Sequence, residues 1–442
     1  MVSPVERPDL ALPATLGQGS AATAQQAPVA SDWWTRFSDP SLNALINAGL
    51  EQNFSLQASW ARLAQSRALW RQAGADQYPD LNLSLSKNRK WQEDVTSGSW
   101  SAGLSTEYEL DFWGRVSALD DKARLAALSS AASVRTQANT VAAQIALNWY
   151  GLIMAQDNLQ LLASQQKRLS ESLAVTQGRF QRGQVSISDV WQQQQQLEAN
   201  QAERIAAEAS RDGYRQQLAL WTGNAAGFDL SADSITTQVL PELNVSNEAV
   251  AVSVLGERPD VQAAWLEVEA ANAGLAAAIA NRYPRLTLTA SYSGSDEDLS
   301  QVFDNWVANL AGSLVLPLID GGNRRAAVAQ NRAVLDEALA AYQQTLLEAA
   351  LEVQQALLDE KEAAASLDSL NRQLELARKT EAFQDNRYRK GVGDFLSLLN
   401  ARESVLSLEQ KVLSARWTQV QARIQLFRAV SHGDFLHKEP SA

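Results

Sequence analysis

Two long runs of seven-residue apolar periodicity meet at a glycine turn near the end of the chain. In the stretch 387–426, Gly391 and Gly393 interrupt helical sequence, and Asp394 follows them. Glycine tolerates the positive φ that ends a helix, and aspartate caps the next one. After the turn the period runs through Leu399, Leu406, Leu413, Val420 and Phe427. Before the turn it runs through Val328, Leu335, Tyr342, Ala349, Ala356, Ala363, Leu370 and Ala377. This pattern predicts two long helices packed as in a coiled coil and joined by one tight turn.

Four shorter segments alternate apolar and polar residues with a period of two. They predict antiparallel strands at about 81–87, 100–110, 285–292 and 306–316, each with one apolar and one polar face. Such strands cross a bilayer when tilted, and aromatic residues lie near their ends, at Tyr78, Trp91, Trp100, Tyr283 and Trp306. Four strands cannot close a barrel, and lipid does not tolerate open edges, so the barrel must be shared between chains. The alternative is a soluble sheet whose leucine faces pack on helices.

The whole order of elements occurs twice. Tyr78-Pro79 recurs as Tyr283-Pro284, and Arg179-Phe180-x-x-Gly183 recurs as Arg387-Tyr388-x-x-Gly391. A repeat at a shift of about 205–209 residues indicates duplication. Each repeat is predicted to contain one helix of about 66–69 residues, or about 100 Å, flanked by two of about half that length. The result would be a mostly helical rod with strands at one end and glycine hairpins at the other.

These patterns divide the chain into five predicted parts. An extended N-terminal strap and equatorial segment covers 1–40, and an equatorial connection covers 224–247. The first repeat covers 41–223 with its hairpin tip near 183–189, and the second covers 248–431 with its tip near 391–394. Residues 432–442 form a C-terminal tail.

Composition argues against several classes of function. The formal net charge of −12 argues against nucleic-acid binding. The absence of cysteine excludes a thiol nucleophile, a cysteine metal site and disulfides, and two histidines, His432 and His437, argue against a histidine triad. No nucleophile–base set, phosphate loop or metal spacing is found, so no catalytic residue, cofactor or metal is predicted. No run of about 18 apolar residues predicts a membrane-spanning helix.

Residues along the whole chain carry a family resemblance. They are Trp33-Trp34-x-x-Phe37-x-Asp39-Pro40-x-Leu42, Tyr78-Pro79, Asp111-Phe112-Trp113-Gly114-Arg115, Arg179-Phe180-x-x-Gly183, Tyr283-Pro284 and Arg387-Tyr388-Arg389-Lys390-Gly391-Val392 with Leu396-x-Leu398-Leu399. In this order they resemble the outer-membrane factor family, the TolC-like export ducts, and within it the OprM-like branch of efflux lipoproteins. The resemblance implies a homotrimer with a 12-stranded barrel in the outer membrane of a Gram-negative bacterium. It also implies an α-helical tunnel across the periplasm, with a periplasmic adaptor (membrane fusion) protein and an inner-membrane efflux pump as partners.

Two features depart from the family pattern. The branch begins at an acylated cysteine, which this chain lacks, and Met1–Pro4 is interpreted as the start of a mature chain with any leader removed. The family's gate often has a carboxylate one turn after the leucine of the tip helix. Here Leu396 is followed at that spacing by Asn400, which carries no charge.

The resemblance and the repeat together select candidate site residues. The predicted periplasmic gate comprises Arg179, Phe180, Asp189, Arg387, Tyr388, Leu396 and Asn400. The predicted adaptor contact at the hairpin tips comprises Gly183, Gln184, Gly391, Val392, Gly393 and Asp394. Glu107 and Glu109 are placed on the barrel lumen.

Each of these assignments has a simpler alternative. Arg387 and Tyr388 could be a cation at a helix C-terminus and a packing aromatic, and Asp189 could be an ordinary first-turn acid. Glu107 and Glu109 could be solvated charges without a role in pore selectivity.

Three functions are considered for this sequence. The first is a passive exit duct that carries drugs or other small molecules from an inner-membrane pump to the exterior. The second is a structural or adhesive coiled-coil surface protein, and the third is a soluble enzyme on a helical scaffold. The alternating strands favour the duct, because a fibre needs no polar lumen face, and the enzyme lacks a catalytic constellation.

Overall fold

The computed structural model describes residues 4–8, 15–16, 32–92, 95–224, 240–241 and 250–432. Its helices are α1 (Pro40–Gln52), α2 (Phe54–Ala75), α3 (Arg115–Gln181), α4 (Ile187–Trp221), α5 (Pro259–Ala280), α6 (Asn323–Arg389) and α7 (Phe395–Val430). Its strands are β1 (Thr15–Leu16), β2 (Asn82–Gln92), β3 (Val95–Leu110), β4 (Val250–Ala251), β5 (Arg285–Asp296) and β6 (Trp306–Val315). None of the described helices is both long enough and apolar enough to cross a membrane.

The two repeats share the order of strand hairpin, long helix and closing helix that the sequence predicts. Before the strands they differ, because the first repeat has α1 and α2, whereas the second has α5, whose 22 residues are fewer than predicted. The long helices α3 and α6 each contain 67 residues, and each follows a strand hairpin. Equivalent aspartates cap both helices: Asp111 accepts from the backbone N–H of Val116, and Asp320 accepts from that of Arg324. These caps supply acceptors for N–H groups that have no partner inside the helix.

Asn53 explains the break between α1 and α2. Its side-chain oxygen accepts from the backbone N–H of Leu56 at 3.0 Å and so caps α2. Its amide nitrogen donates to the carbonyl of Trp221 at the end of α4, at 2.9 Å. The residue that ends one helix therefore starts the next and fixes both to α4.

Strands β2, β3, β5 and β6 form one antiparallel sheet in the order β2-β3-β5-β6. Leu83 faces Leu104, and Leu104 faces Tyr292 across the junction between the repeats. The first hairpin is longer than predicted, because β2 continues to Gln92 and β3 begins at Val95. Prediction placed a polar turn there: beyond Lys87 both faces of β2 are largely polar, so the alternation fades while backbone pairing continues.

The chain forms two compact units, and each unit draws on both repeats. One contains the described parts of Met1–Ala11, Ser59–Val134 and Pro259–Leu347, including the four-stranded sheet. The other contains the described parts of Leu12–Ala58, Arg135–Arg258 and Glu348–Ala442, including both hairpin tips. The compact units therefore do not coincide with the sequence repeats.

The Trp33-Trp34-x-x-Phe37 motif forms a short 3₁₀ helix in the core of the second unit. Phe37 contacts the rings of Tyr150 and Phe427, with centroids 5.3 and 5.7 Å away. Trp33 donates from Nε1 to the buried Asn139 at 3.0 Å. Because the indole N–H of Trp33 has a hydrogen-bond partner, this aromatic cluster can be buried.

Candidate functional site at the hairpin tips

The first tip, residues 182–186, joins α3 to α4. Gly183 has a φ of +71°, and the N–H of Gln184 donates to the carbonyl of Arg179 at 2.9 Å. This is a glycine-terminated C-cap of the kind that ends many helices. Ser186 then begins α4 in a capping box, because the Asp189 carboxylate accepts from the N–H of Ser186 at 3.1 Å. The first-turn alternative thus accounts for Asp189 within this chain.

The second tip, residues 390–394, joins α6 to α7 in the same way. Gly391 has a φ of +75°, and the N–H of Val392 donates to the carbonyl of Arg387 at 3.1 Å. Gly393 does not need a positive φ but allows a close approach, because a Cβ there would lie 3.0 Å from Cβ of Arg387. Asp394 caps α7, because its carboxylate accepts a hydrogen bond from the backbone N–H of Ser397. This hydrogen bond lowers the pKa of the Asp394 carboxyl.

A cation–π contact joins the two hairpins just behind their tips. The guanidinium carbon of Arg179 lies 4.3 Å from the ring centroid of Tyr388, and the Tyr388 ring lies 5.7 Å from that of Phe395. Such contacts contribute about 0.5–2 kcal/mol, depending on desolvation. The Tyr388 hydroxyl is buried and has no hydrogen-bond partner within the described residues. The structure therefore brings two predicted gate residues from different repeats together.

The other predicted gate residues lie apart from this contact. Arg387 donates to the carbonyl of Val392 at 3.2 Å and covers the ring of Phe383. Phe180 is 41% exposed. Leu396 and Asn400 are both exposed, one helical turn apart on the same side of α7, as their spacing requires. Leu398 is buried on the opposite side of the helix, and Leu399 is buried next to Leu396.

A network of ion pairs above the tips was not predicted from the sequence. Asp385 on α6 binds Arg402 on α7 at 3.0 Å, and Arg402 also donates to the Ser172 hydroxyl on α3 at 2.8 Å. Glu409 accepts from Arg168 at 2.7 Å and from Arg378 at 3.1 Å. These side chains tie α3 and α6 to α7.

A cleft of about 450 Å³ lies among the three helices, lined by Arg179, Tyr388 and Arg402 together with Glu381. Burial raises the pKa of the Glu381 carboxyl, and Arg402 partly offsets this rise. Most partners in the network are far apart in the chain, so no local sequence pattern predicts these ion pairs. The i, i+4 pair of Asp385 and Arg389, at 2.6 Å, is of a kind that the sequence does signal.

The two carboxylates assigned to the lumen have different environments. Glu109 accepts two hydrogen bonds from Arg115, at 2.8 and 2.6 Å, so it is not a free lumen charge. Arg115 at the start of α3 therefore balances the charge of Glu109, and its position on the barrel lumen stays a prediction. Glu107 is exposed, and its backbone pairs with Asp80.

The opposite face of the sheet is apolar and uncovered. Leu83 and Leu310 are each 77% exposed. Further exposed apolar residues on this face are Leu81, Leu85, Leu104, Leu288, Tyr292, Trp306 and Leu314. A contiguous patch of this kind is uncommon on a water-soluble monomer. The alternative in which helices cover these leucine faces is therefore wrong for this chain.

Comparison with known proteins gives a consistent result over most of the chain. The family model described as outer membrane efflux protein matches residues 45–224 and 250–432. The chain is 30% identical to the outer membrane protein OprJ of Pseudomonas aeruginosa, covering 94% of this chain and 89% of that protein. It is 28% identical to the toluene efflux pump outer membrane protein TtgI of Pseudomonas putida, covering 90% and 86%. The solved outer-membrane channel OprN superimposes with a TM-score of 0.86 at 26% identity, covering 96% of this chain and 98% of that one.

Proposed function

Since this chain belongs to the outer membrane efflux protein family and is the outer-membrane exit duct of an efflux system, we propose that three copies form one passive channel-tunnel. In this proposal each subunit contributes its four-stranded sheet to a shared barrel of 12 strands. The long helices continue the duct into the periplasm. The family is one of channels in the Gram-negative outer membrane, and its relatives leave no support for an adhesive surface protein.

The observation that carries the proposal is the four-stranded sheet. One face is apolar and exposed, and the other carries Asn82, Ser105, Ser291 and Glu107. Strands β2 and β6 each have one unpaired edge within the described chain. Open edges and an apolar face together favour a sheet that closes with other copies in lipid.

The hairpin tips are the proposed periplasmic gate. Arg179 and Tyr388 hold the two hairpins of one subunit together, and Leu396 and Asn400 leave an exposed stripe on α7. Around a threefold axis that stripe makes one apolar ring and one amide ring. The exposed tip residues Gln184 and Val392 are then available to the adaptor and pump.

Mass measurement in detergent tests the assembly. We expect the purified chain to have three times its 48.2 kDa mass by light scattering, after correction for bound detergent. On a denaturing gel the trimer band should persist without heating and collapse to one chain after heating. A stable, folded monomer would overturn the shared barrel.

A further inference from the structure

The strand pair that joins the two repeats within one chain predicts how strands pair between chains. We call each such line of pairing a seam. Strand β3 of the first repeat pairs with β5 of the second. In a closed ring, β6 of one subunit must pair with β2 of the next, because these are the two free edges. In the repeat, β6 corresponds to β3 and β2 corresponds to β5. The register of the β3–β5 pair within one chain therefore specifies the register of the β6–β2 pair between chains. This inference rests on the proposed trimer.

The repeat correspondence is fixed by the Tyr-Pro motif that precedes each first strand. Leu83 lies five residues after Tyr78, and Leu288 lies five residues after Tyr283, so these two leucines are equivalent. By the same count, Lys87 is equivalent to Tyr292. The hairpins then relate the second strands, because Leu83 faces Leu104 and Leu288 faces Gly312.

The internal seam completes the assignment. Leu104, the counterpart of Gly312, faces Tyr292, the counterpart of Lys87. We infer that β6 pairs antiparallel with β2 of a second copy of this chain in the register that places Gly312 opposite the partner subunit's Lys87. Two residues further along each strand, Leu314 then faces the partner subunit's Leu85. On the other face, Val315 faces the partner subunit's Ser84.

The side chains at the two edges support this register. Leu314 is exposed in β6, and Leu316 and Leu318 are exposed just beyond its last residue, Val315. If the inferred register continues past the end of β6, these leucines fall opposite the partner subunit's Leu85, Leu83 and Leu81, which are also exposed. Alternate residues of a strand share one face, so Leu314 and the partner subunit's Leu85 meet on the apolar face of the sheet. Pairing that extends beyond Val315 adds the other four leucines to the same face.

The side chains of β6 and of the partner's β2 strand are also compatible in charge and in size. Strand β2 carries Lys87, Arg89 and Lys90, whereas β6 carries no charged residue, so no like charges meet. Gly312 has no side chain, which leaves room for the lysine stem opposite it. The segment before β6 is acidic, with carboxylates at Asp296, Glu297, Asp298 and Asp304. It lies at the cationic end of the partner's β2 strand, where opposite charges attract.

Paired cysteines test the register directly, because the natural chain contains no cysteine. The test variant carries Leu85→Cys with Leu314→Cys, and the matched controls combine Leu314→Cys with Leu83→Cys or with Lys87→Cys. All three partner positions lie on the same strand face, so they differ only in register. Within one chain β2 and β6 are separated by two strands, or about 14 Å, so a disulfide must join different subunits.

We expect oxidation to convert the 85/314 variant into a reducible covalent trimer about ten-fold faster than either control, because diagonal neighbours lie beyond disulfide reach. Ser84→Cys with Val315→Cys should behave like the test pair on the other face. Faster crosslinking of either control would overturn the register while leaving the trimer intact. An absence of crosslinks in a protein of trimeric mass would overturn the β6–β2 seam. A monomeric mass of the cysteine-free parent would overturn the proposed function as well.

Discussion

Tyr388 combines two properties that a single chain does not fully explain. Its ring supports the Arg179 guanidinium, while its hydroxyl is buried without a hydrogen-bond partner among the described residues. A buried hydroxyl without a partner costs about 1–3 kcal/mol, so it is normally satisfied in the assembled protein. A group on a neighbouring subunit or an ordered water would satisfy it. The proposed gate residues are therefore best tested in the complete channel.

At the residue scale, Asn400 should determine the sensitivity of the channel to multivalent cations. An amide ring offers oxygen atoms without net charge, so the natural channel should resist block by trivalent cations from the periplasmic side. Asn400→Asp should lower the blocking concentration by about ten-fold or more, because three carboxylates bind hard cations. Planar-bilayer recording measures this. Asp394→Asn on the same hairpin is the control, and unchanged block in Asn400→Asp would mean that Asn400 does not line the lumen.

Asp157 should make stability depend on pH. Burial raises the pKa of the Asp157 carboxyl from 3.8 to about 6, and Arg416 offsets only part of this. A carboxyl with a raised pKa in the folded state stabilises the fold at low pH, and this stabilisation is lost as pH rises through about 6. Asp157→Asn should therefore raise the Tm at pH 8 but leave it unchanged at pH 4.

Thermal unfolding of the detergent-solubilised protein at a series of pH values measures this difference. Glu198→Gln, at an exposed position on α4, is the matched control and should give the same curve as the natural chain. A difference between Asp157→Asn and the natural chain that does not change with pH would contradict the prediction.

At the scale of elements, the proposed gate is held by contacts between the hairpins and within the second tip. Arg387 binds the Val392 carbonyl, and Tyr388 lies under Arg179. Arg387→Ser removes the bond to the Val392 carbonyl, and Tyr388→Phe removes the hydroxyl that a neighbouring subunit would bind, so the double variant should loosen this end and raise single-channel conductance several-fold. Because Tyr388→Phe keeps the ring beneath Arg179, the single variant reports on the hydroxyl alone.

The same recordings need a control on α6 away from the tip. Arg372→Ser removes an exposed ion pair with Asp368 and should leave conductance unchanged. If the double variant conducts like the natural channel, the contacts of Arg387 and Tyr388 do not hold the tip closed.

At the scale of the whole molecule, the tips should meet the periplasmic partners. Gln184 and Val392 are exposed at the two turns. Gln184→Cys and Val392→Cys, each introduced singly, should crosslink to the adaptor or pump in cells. Neither should react with an impermeant thiol reagent outside intact cells. Leu299→Cys, in the segment between β5 and β6, is the control and should be labelled from outside. Labelling of either tip residue instead would reverse the topology.

The sequence by itself determined the elements and their order. Apolar residues repeat every seven positions on both sides of Gly391, which predicted the helices, and every two positions around Leu83, which predicted the strands. The repeated Tyr-Pro motif predicted the duplication. All three are local signals. The tip glycines were predictable for the same reason, since a positive φ excludes most other residues.

Only the tertiary structure decided which side chains meet. Arg179 reaches Tyr388 from the other repeat, Arg402 joins three helices, and Glu109 is neutralised by Arg115. The short β1–β4 pair was also absent from the prediction, because two-residue strands have no period to detect. These contacts depend on how distant segments pack, and packing is set by the whole chain. Local patterns fix where a helix begins and ends, whereas the partner of a charged or aromatic side chain is fixed by which elements pack together.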